Sequence, residues 1–167
     1  MRTRQPRPVL RLPLAFIDLV VITATFAGLV FLAAPLANGW ERLPARVPTH
    51  FGLAGHPDAW GSKTTVLALP AVAVGMSLFL GLLSWFPQIY NYPCQITEQN
   101  AAPLYRLGRS MMLWMMAEMV WMFAYLNGMT LRVAEGAAPG LGLVPFAFLG
   151  AFAATMGVHI ALMRAYR

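Results

Sequence analysis

Four side chains with acid–base or ligand chemistry sit within one short stretch of the chain: His50, His56, Asp58 and Lys63. A histidine titrates near neutral pH, and a nearby carboxylate and ammonium can tune it or grip the charges of a ligand. Three readings of this group stay open. The side chains can satisfy the backbone of a compact loop. His50, Asp58 and Lys63 can form a ligand or proton site. His50, His56 and Asp58 can offer three metal ligands from one loop, although their spacing matches no strong zinc motif. A second set, Asp18, Glu118 and His159, lies inside otherwise apolar runs. Ionisable groups in such runs face a bundle interior and partner one another, or mark a proton pathway. Glu118 is the deepest of the three.

The elements that must position these residues follow from composition. Of 167 residues, 59% are apolar and 11% charged, with net charge +6 and mean hydropathy +0.61. An average soluble domain carries roughly 25% charge. This chain lacks the polar surface to cover a soluble core, which excludes a cytosolic globular enzyme and a disordered tail. The expectation is an all-α, single-domain, four-helix transmembrane bundle over residues 1–167, with spans at 14–36, 66–86, 111–131 and 143–163. The first run is too long for a signal-peptide core, and no small-residue cleavage site follows it.

Lys and Arg counts set the expected orientation. Arg2, Arg4, Arg7, Arg11, Arg106, Arg109, Arg164 and Arg167 fall on one side, and Arg42, Arg46, Lys63 and Arg132 on the other. The eight-to-four bias puts both termini in the cytoplasm and residues 38–65 outside, in a bacterial inner membrane. The basic excess reports topology here, and no nucleic-acid partner is expected. Cys94 stands alone, which excludes an internal disulfide and a thiolate metal site.

Residues 38–65 are expected to form a structured outer loop. Val47–Phe51 suits an extended piece, because Pro48 pushes the preceding residue out of the helical region. Gly55–Asp58 suits a tight turn. The connection after the third span is expected to be a plain flexible turn. Thr97 is placed as an N-cap for a short interfacial helix leading to the third span, with Arg106 and Arg109 at the headgroups. Trp114, Trp121 and Tyr125 share a helix face with Glu118 as a packing seam. Seven methionines crowd the third span. Thioethers can hold Cu(I), but methionine is also an ordinary core filler, so neither a metal nor a cofactor is expected.

Leu43-Pro44, Val47-Pro48-Thr49-His50-Phe51, Gly55, Pro57-Asp58, Trp60-Gly61-Ser62-Lys63 and Pro70 together resemble the small membrane domain named for the immunity protein of the sporulation-delaying toxin system. The resemblance covers Asn38–Pro70. It implies a multi-pass membrane protein whose outer loop carries the family signature, with His50, Asp58 and Lys63 as its polar members. The best-studied member confers immunity to a secreted peptide and holds a repressor at the membrane. The expected function is therefore non-enzymatic sensing or immunity, with the outer loop recognising a peptide or a membrane-protein partner. The alternatives are a proton-coupled transporter working as a homo-oligomer, and an accessory subunit of a larger membrane complex. No phosphate-binding loop, nucleophile elbow or dinucleotide fingerprint points to an enzyme.

Overall fold

The computed structural model describes residues 7–166; Arg2, Arg4 and Arg167, used in the charge count, lie outside them. Four α-helices run up and down: α1 (Phe16–Gly39), α2 (Ala68–Leu83), α3 (Ala101–Ala134) and α4 (Val144–Arg164). Between α1 and α2 the chain forms two antiparallel strands, β1 (Arg46–Phe51) and β2 (Pro57–Ser62). The all-α expectation is corrected at this point. Val47-Pro48 and Pro57 resist helical dihedrals, so this stretch satisfies its backbone by pairing with itself. A 3₁₀ turn at Lys63–Leu67 then leads directly into α2.

Three helical stretches are long and apolar enough to cross a membrane: Phe16–Arg42, Lys63–Leu83 and Val144–Arg164. The expected third span is not among them. Glu118 and Asn127 lower its hydropathy, and it occupies the middle of the bundle rather than its surface. α3 begins ten residues earlier than expected and runs unbroken for 34 residues, about 51 Å at 1.5 Å per residue. No separate interfacial helix precedes it. Pro103 falls in the first turn, where a missing N–H costs nothing, and no later residue breaks the ladder. Ahead of the helix, Thr97 and Asn100 exchange reciprocal bonds of 2.8 and 3.3 Å. Asn100 thus fills the role of the capping-box acid, one turn earlier in the chain than the helix itself.

α3 supplies a residue to each of three core clusters. Leu113, Met116 and Ala117 pack with Val21 of α1. Ala124 packs with Leu32 and Ala73. Leu131 packs with Leu36, Leu43, Val47 and Val66. Close approach to α1 depends on Gly28, where a Cβ would stand 2.8 Å from Val120 Cγ1. The third cluster anchors the hairpin: Val47 is fully buried, and burying one valine contributes about 1.5–3 kcal/mol.

The connection between α3 and α4 is not a plain turn. Leu141 N–H donates to Gly55 O at 2.9 Å, and His56 Nδ1–H donates to Pro139 O at 3.2 Å. Tyr125 Oη–H donates to Leu141 O beneath them. The hairpin tip is thereby seated on the second loop of the same end. Gly55 adopts φ +75°, and a Cβ on Gly140 would lie 2.2 Å from Gly55 O. Gly140→Ala should force the tip off its seat and lower stability by about 1–3 kcal/mol. Gly150→Ala, with open space around it, should cause no loss; thermal melts of the two variants in detergent check this.

Candidate functional site

The hairpin end carries the first group. β1 and β2 pair with two irregularities, leaving Thr49 and Asp58 outside the regular register. Such bulges re-aim side chains, and here they bring His50 and Asp58 together. His50 Nδ1–H donates to Asp58 Oδ1 at 2.6 Å, with the side chains 69% and 52% exposed. The carboxylate fixes the ring so that Nε2 points away from it, open to a hydrogen-bond donor. Lys63 does not join this pair. Its ammonium sits 4.9 Å above the Trp40 ring and reaches Trp40 O at 3.5 Å, a cation–π contact that ties the base of the hairpin to the end of α1. His56 turns instead to Pro139. Among the described residues no three His, Cys, Asp or Glu side chains are grouped to hold a metal, so the three-ligand reading of His50, His56 and Asp58 is not realised.

The second group lies between α3 and α4. Thr155 Oγ1–H donates to Glu118 Oε1 at 2.5 Å. The Thr155 carbonyl accepts from His159 Nδ1–H at 2.8 Å, and His159 Nε2 lies 3.3 Å from Ser110 Oγ. Glu118 and His159 are thus joined through one threonine. Glu118 Oε2 is buried and has no partner among the described residues. Asp18 stands apart from the expected cluster of three. Its Oδ2 accepts from Ala15 N–H at 2.9 Å, closing the first turn of α1. Ser110 and Thr155 were not singled out by sequence, although Thr155 and His159 are spaced i, i+4 and share a helix face.

The expected aromatic seam around Glu118 divides. Trp121 turns to α1, donating its indole N–H to Ala24 O at 3.1 Å and packing on Phe31. Tyr125 turns to α4 and packs on Phe148. Met116 and Met119 are buried core residues. Asn127 is fully buried with neither amide atom partnered among the described residues, and nothing in the structure explains it.

At the opposite end, Arg109 is buried. Its guanidinium donates to Leu12 O at 2.9 Å, Pro13 O at 3.2 Å and Ser84 O at 3.3 Å. Three carbonyls there replace the acid a buried arginine usually requires. Arg106 remains exposed. Arg7 donates to Gln88 O and Tyr90 O and lies over the Tyr92 ring, while Tyr105 donates to Pro8 O. Residues 7–13 are therefore strapped across this end. Gly108 permits the packing, since a Cβ there would stand 2.6 Å from Tyr92 Oη.

The comparisons bear on the hairpin. A family described as a domain of unknown function (DUF1648) matches residues 25–74, from the middle of α1 through both strands into α2. An uncharacterized protein of Archaeoglobus fulgidus is 39% identical over 62 residues, 32% of this chain and 34% of that protein. The chain thus spans about a third of the length of that curated relative. No solved structure matches. The matched residues 25–74 contain His50, Asp58 and Lys63 and end before Glu118 and His159.

Burial pushes the Tyr90 phenol up from 10 to about 12, against a smaller opposing pull from Arg109. Tyr92 shifts the same way, chiefly through burial and then through the neighbouring Tyr90 and Tyr105. A raised folded value means the neutral phenols stabilise the fold fully below pH 10, and that this stability is lost as pH rises through about 12. Thermal melts should therefore fall across this window as tyrosinate absorbance grows. Tyr90→Phe should make the fall shallower, while losing about 1 kcal/mol at neutral pH with the Leu83 O bond.

Proposed function

We propose that this chain is a multi-pass protein of the bacterial cytoplasmic membrane, with both termini inside and the hairpin outside as a recognition surface for a peptide or protein partner. All four helices cross the bilayer in this reading. α3 is sheltered by the other three, which accounts for its lower hydropathy. The hairpin and the third connection share one end, and the Arg7, Arg106 and Arg109 region shares the other, as the positive-inside bias requires. The function is non-enzymatic, in keeping with the resemblance to toxin-immunity proteins.

The observation that carries this reading is the His50–Asp58 pair, held 2.6 Å apart yet exposed, on a hairpin clamped at both base and tip. A surface pre-organised in this way loses little entropy on binding. Beside the pair stand Leu53, 94% exposed at the tip, and Trp60, 43% exposed on β2. An apolar anchor, an aromatic and an oriented charge pair suit a peptide with both apolar and charged side chains.

Two measurements test the proposal. In a Cys94→Ser background, Leu53→Cys should react with a membrane-impermeant maleimide on intact cells, and Arg106→Cys only after permeabilisation; equal labelling of both would refute the topology. A photo-crosslinking amino acid at position 53 or 60 should capture a discrete partner. Adding His50→Ala and Asp58→Ala should cut that capture at least tenfold, and undiminished capture would remove the pair from recognition.

A further inference from the structure

We propose that His159 and Glu118 form a proton-binding pair, reached from the end of the bundle that holds the N-terminus of α1 and the C-terminus of α4. This stands independently of the hairpin's role. The Thr155 carbonyl can only accept, so His159 Nδ1 carries a proton. In the neutral ring Nε2 is then an acceptor, and Ser110 Oγ–H donates to it. Ser110 also lines a cavity of about 380 Å³ together with Asp18, Arg106 and Leu107. Its walls are mostly apolar, with Asp18, Arg106 and Ser110 as the polar groups that can hold water there.

This arrangement gives the ring a route to an external proton. In a concerted relay a hydronium in the cavity protonates Ser110 Oγ as the serine's own O–H bond breaks and that proton passes to His159 Nε2, leaving neutral water behind. One N–H bond forms, the serine is restored, and one proton leaves the cavity. The resulting imidazolium has two stabilising neighbours. The Thr155 carbonyl accepts from its Nδ1–H, and the partial negative charge of that oxygen favours a cation. Through Thr155 it also faces the Glu118 carboxylate, whose Oε2 has no partner among the described residues.

The surrounding elements supply no competing counter-ion for Glu118. α2 contains no ionisable side chain, α1 contains only Asp18, and α4 adds only Arg164 to His159. On α3, the Arg109 guanidinium is occupied by the carbonyls of Leu12, Pro13 and Ser84, and Arg106 lies at the cavity mouth. The proton taken up by His159 therefore provides the charge that Glu118 otherwise lacks.

The full chain contains three histidines, so ring-carbon NMR with labelled histidine can follow each one across pH 5–9. His159→Asn assigns the signal, and Asp58→Asn marks His50 as a folding control. His159 should titrate in the wild-type protein, and Glu118→Gln should weaken its proton affinity about tenfold. Thr155→Val, which breaks the bridge without removing the acid, should weaken it in the same direction and serves if Glu118→Gln does not fold. A His159 signal that stays flat across the range overturns the proposal, as does a midpoint unmoved by loss of either partner.

Discussion

Every helix in this protein packs against α3, and that burial governs the rest of the structure. A helix packed against three others must satisfy its buried polar side chains within the bundle. Arg109 meets this demand by drawing three carbonyls from two separate segments. Glu118 meets half of it through Thr155. Trp121 does so through the Ala24 carbonyl of α1. The connecting segments are placed largely by these bonds: residues 7–13 and the end of α2 lie where they do because α3 polar groups require acceptors there.

The two ends of the bundle meet the same requirement differently. At one end a strap of chain closes over arginine and tyrosine side chains, which spend their donors on backbone carbonyls. At the other end the hairpin is fixed by apolar burial of Val47 and by the fit of Gly55 against Gly140 and Leu141. Its remaining polar anchors are His56, Tyr125 and Lys63, none of which touches Asp58. His50 and Asp58 are left to each other and to whatever approaches. An apolar anchor and an exposed polar pair thus coexist at this end.

Much of this was legible along the chain. The spacing of apolar runs marked four helices, Pro48 marked an extended piece, and the residue types around it singled out His50 and Asp58; the turn expected at Gly55–Asp58 instead gives way to β2 at Pro57. Each of those signals is local: hydropathy over about 20 residues, or the dihedral restriction a proline places on its neighbour. The resemblance at Asn38–Pro70 likewise rests on one short segment, and the family match at residues 25–74 falls on the same stretch.

What only the tertiary structure decided is which partner each polar group takes. Asp18 closes its own helix while Glu118 and His159 meet through a threonine 37 residues from the acid. Lys63 leaves the histidine for a tryptophan 23 residues away. Arg109 leaves the surface for carbonyls 25 to 97 residues distant. Periodicity states which face of a helix a side chain occupies, but not which neighbour that face meets. The choice falls to packing, because close contacts at Gly28, Gly108 and Gly140 set the helix and loop positions to within an ångström, and hydrogen bonds form or fail over that same distance.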